Sequence, residues 1–424
     1  MKKIKKTGKK SRNLHLKWML VILHAFVLVI FTIVLQYTHL LRFDESAVLK
    51  WTSLIRHTIF HTNKIQKGDS AVFLDVSKDL ALIEDSTYQP NRRLNISGSM
   101  QTIVDRHKLT MLFSLLNRHP AIYPYTIFDI LLNDKTPEDT IMQPEIEKLK
   151  KSIFASTLVS DTLEKPLFHT KNGCVDYFYY DENSFNKMLI YYNDSVLCLP
   201  ALVAEDIDPM KLKFSRKKYL TFIDHNLAFN TVIPEYFYTM HELRQFDDYS
   251  SIKGEAFPNV FYLGEFLNFK EQDQVRILQN KYILVGDFSG VGDMYSTYTG
   301  RLPGALILYN VFLTMKNDRV SVSVYWLLML FAFYVVISYK IIIKSSFDFK
   351  EIEDHIKLPF LSEWIMKYIS YLGMLILIDI FSVILFGCYL SVFIVASYFT
   401  FLELIMVKIP AWSEQIHAFI TSFV

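Results

Sequence analysis

The sequence has few of the residues that build metal centres and disulfide frameworks. Three cysteines and 12 histidines occur among 424 residues, and no Cys-x-x-Cys pair is present. His241 begins like a zinc-binding helix motif, but Gln245 occupies the position of the second histidine. His57 and His61 lie close in sequence without a third ligand nearby, so we interpret them as packing residues. We therefore expect neither a metal nor another cofactor.

Motifs of nucleotide-binding and hydrolytic enzymes are also missing. Gly286, Gly290 and Gly292 are followed by no Gly-Lys-Ser/Thr, and their spacing differs from that of the dinucleotide-binding fingerprint. Ser289 precedes Gly290 without completing a Gly-x-Ser-x-Gly nucleophile motif. A formal net charge of only +2 argues against a nucleic-acid partner. We expect a protein that is not an enzyme, and keep an exported hydrolase as an alternative.

Long apolar runs, by contrast, are plentiful. Hydrophobic residues make up 51% of the chain and the mean hydropathy is +0.20, which is high for a soluble protein of this size. The run from Trp18 to Leu35 carries no formal charge and is long enough to cross a hydrocarbon core of about 30 Å. Lysines and arginines precede it without any acid, which predicts a cytoplasmic amino end and an exported following segment. It lacks a cleavage site and is interpreted as a retained anchor.

Apolar runs return near the carboxyl end. Val320 to Tyr339 is uncharged and long enough for one span. Tyr368 to Leu402 contains a single formal charge, Asp379, and is too long for one crossing, so we predict a helical hairpin turning near Gly387. Asp379 is assigned to packing or assembly, and a transporter is the alternative in which it would act directly. The predicted order is a cytoplasmic end (1–17), a span (18–37), an extracytoplasmic domain (38–319), a span (320–343), a cytoplasmic loop (344–363), two spans (364–386 and 389–408) and a cytoplasmic tail (409–424).

Between the first two spans, apolar strands alternate with helices. This alternation predicts an α/β domain with a mostly parallel or mixed sheet. A hairpin rich in tyrosine and phenylalanine is predicted over 174–180 and 187–192. The other predicted strands are 71–76, 121–132, 153–159, 219–223, 260–263 and 282–285, and the predicted helices are 109–116, 145–151, 195–205 and 305–315.

The stretch from Asn280 to Asn310 organises the rest of this domain. Its apolar strand runs into Gly286, and a polar loop then leads to a helix over Ala305–Met315 that is followed directly by the second span. In open α/β sheets, ligands bind at the carboxyl ends of strands, where such a loop lies.

This stretch resembles the closing signature of the type-2 CHASE domain, an extracellular sensory module associated with bacterial cyclases and histidine kinases. The family has a proline at the position of Tyr298 and His-Ala at the positions of Leu308-Tyr309, so the role of that histidine does not transfer. The matching residues are Val285-Gly286, Gly292-Asp293, Thr297, Pro303-Gly304, Asn310, Asp75 at the end of the first strand and Phe128-Asp129-Ile130.

The resemblance covers about Lys67 to Val320 and includes the order of one anchor before the domain and three spans after it. It implies a bacterial inner-membrane sensor, in contact with lipid, that binds an extracytoplasmic ligand and signals across the bilayer. Only residues 409–424 follow the last predicted span, so we expect the output to come from a separate protein or a second copy of this chain. An envelope assembly protein without sensory function is the main alternative.

Three carboxylates are predicted at strand ends: Asp75, Asp129 and Asp293. If the strands are neighbours, the three acids would surround one crevice suited to a cation or an amine-bearing ligand. The alternative is that each acid caps a helix or accepts hydrogen bonds from loop amides. The predicted ligand-binding set is Asp75, Asp129, Gly286, Gly290, Gly292, Asp293 and Thr297, and the structural signature set is Pro303, Gly304 and Asn310.

Cys174 and Cys198 both lie in the segment predicted to be exported, where a disulfide is permitted. The sequence does not show whether their Cα atoms come within bridging distance. We therefore keep both alternatives, a disulfide between the two cysteines and two free thiols. Cys388 falls in a predicted span and is interpreted as a small apolar residue.

Overall fold

A computed structural model describes residues 3–37, 70–84, 100–176, 185, 187–218, 220–241, 243, 259–288, 293–317, 320–344, 359–388, 390 and 392–408. The chain divides into two units. One comprises residues 55–321, and the other comprises residues 1–54 together with 322–424. His57, His61, Gln245, Gly290 and Gly292 lie outside the described residues.

The elements are numbered in chain order across both units. They are α1 (Lys3–Tyr37), β1 (Ala71–Asp75), β2 (Leu80–Glu84), β3 (Met100–Val104), α2 (Arg106–Arg118), β4 (Thr126–Phe128), α3 (Asp139–Ile146), β5 (Ser152–Ser156), β6 (Leu158–Val159), β7 (Thr162–Leu163), β8 (Asn172–Cys174), β9 (Met188–Leu189), α4 (Leu199–Ile207), β10 (Phe214–Lys217), β11 (Leu220–Ile223), β12 (Asn226–Ala228), β13 (Thr231–Val232), β14 (Val260–Tyr262), α5 (Leu263–Leu267), α6 (Glu271–Leu278), β15 (Tyr282–Gly286), β16 (Met294–Thr297), β17 (Gly300–Pro303), α7 (Gly304–Lys316), α8 (Val324–Tyr339), α9 (Pro359–Phe386) and α10 (Val392–Lys408).

A six-stranded sheet in the order β14-β1-β15-β4-β5-β8 forms the centre of the 55–321 unit. Every neighbouring pair in it is parallel. The last strand in sequence, β15, is inserted between β1 and β4, with Asp75 opposite Gly286 and Phe128 opposite Val285. The prediction of an α/β fold with a parallel sheet is therefore confirmed.

The sheet is apolar on both faces, as expected when helices cover both sides. On β15, Tyr282 and Leu284 face the cluster that contains α4 and α7, and Ile283 and Val285 face the cluster that contains α2, α3, α5 and α6. On the second face, Phe128 stacks on Phe154 with ring centroids 4.5 Å apart. Burying each such phenylalanine contributes about 1.5–3 kcal/mol of hydrophobic stabilisation.

Helix α7 is buried along nearly its whole length, and Asn310 at its centre is fully buried. The Asn310 side-chain oxygen accepts hydrogen bonds from the backbone N–H groups of Phe237 (2.8 Å) and Tyr238 (2.9 Å). Its amide nitrogen donates to the carbonyls of Tyr238 (2.8 Å) and Leu306 (2.9 Å). This one side chain therefore supplies hydrogen-bond partners to the backbone of Phe237 and Tyr238, which lie outside the strands.

Three predicted elements differ from the observed ones. The strand predicted over 121–132 is limited to Thr126–Phe128, because turns precede it and β15 pairs with only those residues. The helix predicted over 145–151 lies instead at Asp139–Ile146, with Pro144 tolerated inside it. The hairpin predicted over 174–192 is wrong, because Asn172–Cys174 pairs in parallel with β5 and Met188–Leu189 pairs with β13.

Among its described residues, the second unit contains three helices long and apolar enough to cross a membrane, at His15–Leu35, Val324–Ile342 and Tyr368–Phe386. A fourth apolar helix, α10, has 17 residues. Gly387, with φ +68°, ends α9, as the predicted turn near this residue requires. The prediction of a membrane protein with apolar helices before and after an α/β domain is confirmed at this level.

Polar side chains connect the helices of this second unit. His24 on α1 has Nδ1 2.8 Å from the Ser338 hydroxyl on α8 and Nε2 3.1 Å from the Tyr398 hydroxyl on α10. Asp379 is 1% exposed and accepts a hydrogen bond of 2.8 Å from the backbone N–H of Leu390, at the turn before α10. Both side chains thus have packing partners inside the helix bundle.

We expect Asn310→Ala to lower the free energy of unfolding of the 55–321 unit by about 2–4 kcal/mol, because it leaves several buried backbone groups without partners. Pulse proteolysis of the full chain in urea would measure this change. Gln143→Ala is the matched control, since Gln143 is exposed and bonds only across one helical turn. Equal losses in the two variants would contradict the role assigned to Asn310.

Candidate functional site

The candidate site lies at the carboxyl end of β15. The chain leaves β15 towards α7 on one face of the sheet, whereas it leaves the neighbouring β4 towards α3 on the other face. Adjacent parallel strands whose connections diverge in this way open a crevice at their carboxyl ends, where open α/β sheets bind ligands. Asp129 follows β4 at this edge, and its backbone N–H donates to the Val285 carbonyl at 2.8 Å.

A cavity of about 70 Å³ occupies this crevice. Two carboxylates, Asp129 and Asp293, line it together with apolar side chains, and both acids are partly buried. Its size suits a ligand of a few non-hydrogen atoms. The lining residues are Asp129, Val175, Phe185, Asp293, Tyr295, Gly304, Ile307 and Leu308.

Asp293 is placed against the first turn of α7. A Cβ added to Gly304 would lie 2.8 Å from each of the two Asp293 carboxylate oxygens, so only glycine allows this approach. The Gly304 backbone N–H donates a hydrogen bond to the Asp293 carboxylate. A helix amino end attracts negative charge through its free N–H groups, which explains why the carboxylate rests there.

Burial and mutual repulsion control the charge of the pair. Burial raises the pKa of Asp129 to about 7, and the nearby charge of Asp287 raises it in the same direction. Burial raises the pKa of Asp293 to about 8, and the charges of Asp129 and Asp287 raise it further in the same direction. The hydrogen bond from Gly304 acts the other way and lowers this pKa. The two carboxyls therefore hold protons at a pH where exposed aspartates are ionised.

The structure brings together only part of the predicted ligand-binding set. Asp75 is fully buried and accepts hydrogen bonds from the backbone N–H groups of Ser77 (2.9 Å) and Phe288 (3.2 Å), so it satisfies loop amides and does not line the cavity. Thr297 lies on the β16–β17 hairpin, where its hydroxyl donates to the Gly300 carbonyl at 2.7 Å. Neither residue belongs to the cavity.

Among the residues that carry the resemblance, Gly286 has a steric role like that of Gly304. A Cβ added to Gly286 would lie 2.9 Å from the Ala305 Cβ and 3.3 Å from the Asp129 Cβ. Pro303 is the N-cap residue of α7 and precedes Gly304. Asn310, the last of this set, holds the segment around Tyr238 as described above.

Several residues that line the cavity or act on its charge were not predicted from the sequence. Asp287, whose charge raises the pKa of both carboxyls, follows Gly286 directly. This first Gly-Asp pair of the loop was a signal that could have revealed its charge. Tyr295, Phe185 and Ile307 carry no chemical motif. Leu308 stands where the resembled family has histidine, and it gives this part of the cavity an apolar wall.

The cysteine pair is brought together at the sheet edge beside the cavity. Cys174 and Cys198 are partners in an isolated parallel β-bridge, and both are fully buried free thiols in this structure. The next residue after Cys174, Val175, lines the cavity.

Comparisons with protein-family models, with curated proteins and with solved structures give no match to this chain.

We expect the stability of the 55–321 unit to fall as the pH rises from about 4 to about 8. Asp129 and Asp293 have raised pKa values in the folded chain, so the folded state binds more protons than the unfolded state over this range. Asp293→Asn should reduce the decline by on the order of 2 kcal/mol and make the variant more stable than the parent at pH 8. Pulse proteolysis in urea across this pH range would measure it.

Asp161→Asn serves as the control for this pH series, since Asp161 is an exposed turn residue. Its pH dependence should match that of the parent chain. A parent chain whose stability is level or rises over this range would contradict the assigned protonation of the pair.

Proposed function

We propose that this chain is a membrane-anchored extracytoplasmic receptor that binds a small amine-bearing ligand between Asp129 and Asp293. The observation that carries the proposal is the cavity in which these two carboxylates meet an otherwise apolar lining. An ammonium group would supply a counter-charge to the pair, and the apolar walls would hold a short hydrocarbon part.

An amine suits this site better than a metal ion. Within the described ranges, no three histidine, cysteine, aspartate or glutamate side chains are arranged to hold a metal. The cavity presents two carboxylates beside Val175, Phe185 and Leu308, a lining that offers little to a hydrated divalent cation. Because the carboxyls must ionise to attract an ammonium group, binding should release protons and weaken as the pH falls below about 7.

The proposed topology has four spans, with α10 as the fourth, both ends in the cytoplasm and residues 38–319 outside it. The basic residues before Trp18 support this orientation through the excess of positive charge on the cytoplasmic side. The resemblance to type-2 CHASE domains supports the same arrangement. The output would pass to a separate protein or to a second copy of the chain.

The proposed signal starts at the amino end of α7. Gly304 and Asp293 adjoin the cavity, and residues 317–323 connect the other end of α7 to the apolar helix α8. The two helices are separate, since α7 ends at Lys316 and Ser323 caps α8 through its hydroxyl. A ligand would transmit a signal only if it binds two arrangements of this connection with different affinity.

We expect ethylammonium chloride to raise the melting temperature of the full chain in detergent at pH 8, relative to sodium chloride at equal ionic strength. Asp293→Asn should abolish this shift, because one carboxylate of the pair is lost, whereas Asp161→Asn should keep it. Ethanol, the neutral analogue of similar size, should have no such effect. An equal shift in Asp293→Asn would exclude the cavity as the binding site.

The orientation can be tested separately by thiol labelling of intact cells. Asp161→Cys places a thiol on the exposed surface of the 55–321 unit, and Lys350→Cys places one in the predicted cytoplasmic loop. A membrane-impermeant maleimide should label the first variant and not the second. The reverse pattern would show that the domain lies in the cytoplasm.

A further inference from the structure

The sheet edge at β8 brings two buried sulfur atoms together beside the cavity. Cys174 ends β8 and Cys198 is the N-cap residue of α4, and both are fully buried. They are bridge partners, with the Cys174 backbone N–H donating to the Leu197 carbonyl at 3.4 Å and the Cys198 N–H to the Ile190 carbonyl at 2.9 Å. The first of these bonds joins the backbones of the two cysteine-bearing segments directly, and the second ties Cys198 to the neighbouring segment at Ile190.

The packing of Gly173 against Leu199 also brings these two backbones close together. A Cβ added to Gly173 would lie 2.5 Å from the Cα of Leu199, so the two backbones pack with no room for a side chain at that position. Neighbouring β-bridged backbones lie about 4.8 Å apart, which falls inside the range of Cα separations that a disulfide spans. Bridge partners also direct their side chains to the same face of the sheet.

We propose that Cys174 and Cys198 form an intrachain disulfide in an oxidising compartment, and that this bond fixes the cavity wall that carries Val175. The sequence offers Cys174 no other partner in its unit, since the third cysteine, Cys388, belongs to the other one. The bond itself depends only on the geometry of the pair. Its formation in cells rests on the extracytoplasmic placement proposed above.

The chemistry balances with a disulfide as the oxidant. One cysteine thiolate attacks a sulfur of oxidised glutathione, breaks its S–S bond and releases one glutathione thiol. The second cysteine thiolate then attacks the mixed disulfide, forms the Cys174–Cys198 bond and releases the second glutathione thiol. The two cysteines lose two electrons and two protons, and the glutathione disulfide gains both.

Burial determines when this exchange occurs. Burial raises the pKa of both thiols to about 12, so the reactive thiolate is scarce while the fold is closed. The pair should therefore oxidise during folding, or when the edge strand β8 opens, and then resist reduction. Cys174 also lies 3.6 Å from an Asp176 oxygen that accepts a 2.6 Å hydrogen bond from the Leu158 N–H, so Asp176 keeps a partner after oxidation.

Tryptic mapping tests the bond directly. Cleavage after Lys171, Lys187 and Lys211 places Cys174 and Cys198 on separate peptides, 172–187 and 188–211. In the first sample, the free thiols of cells are alkylated with N-ethylmaleimide under denaturing conditions. In the second, the purified chain is incubated with oxidised glutathione in urea just below the unfolding midpoint before alkylation. We expect one linked peptide in both samples, lost on reduction, with Cys388 carrying maleimide throughout.

Cys198→Ser is the matched variant and should leave Cys174 fully labelled. Reduction of the oxidised parent should lower the melting temperature by about 5–10 °C, whereas reduction of Cys198→Ser should leave it unchanged. Full labelling of both cysteines after the glutathione incubation would overturn the proposal. A chain that links with glutathione but stays reduced in cells supports the bond and contradicts the extracytoplasmic placement.

Discussion

Helix α7 approaches the carboxyl end of β15 closely because Gly286 has no side chain. A Cβ there would come within 2.9 Å of Ala305 and 3.3 Å of Asp129, so even alanine would push the helix or the neighbouring strand away. Asn310 holds the same helix farther along by three hydrogen bonds to the backbone of Phe237 and Tyr238. The dimensions of the cavity follow from these two constraints, since α7 forms one of its walls.

The same approach brings carboxylates together at a cost in stability. Asp129, Asp287 and Asp293 follow or face the end of β15, and burial together with repulsion among them opposes ionisation of Asp129 and Asp293. An ionised carboxylate is more stable in water than in this buried site, so it lowers the stability of the folded state unless a ligand supplies an opposite charge. Groups held in this way favour function at the expense of stability. Asp75 avoids this conflict by accepting hydrogen bonds from two backbone N–H groups.

Local sequence signals predicted the elements that are apolar and central. The strands at Ala71–Asp75, Ser152–Ser156 and Tyr282–Gly286 are continuous apolar runs, because both faces of a parallel sheet are covered. Prediction failed for the helix at Asp139–Ile146 and for the strands at Asn172–Cys174 and Met188–Leu189, where the elements are short and the pairing of the strands depends on distant residues. Cys174, for example, pairs with Ser156 rather than with the predicted partner segment 187–192, which local propensity does not reveal.

The sequence alone determined the apolar helices long enough to cross a membrane, the α/β class and the strand that ends at Gly286, because hydropathy, periodicity and glycine act within a few residues. Only the tertiary structure decided which acids share a cavity. The insertion of β15 between β1 and β4 placed Asp129 and Asp293 in one cavity, and left Asp75 accepting hydrogen bonds from the backbone N–H groups of Ser77 and Phe288. Strand order depends on contacts between residues that are distant in the sequence, so no single stretch of the chain predicts it.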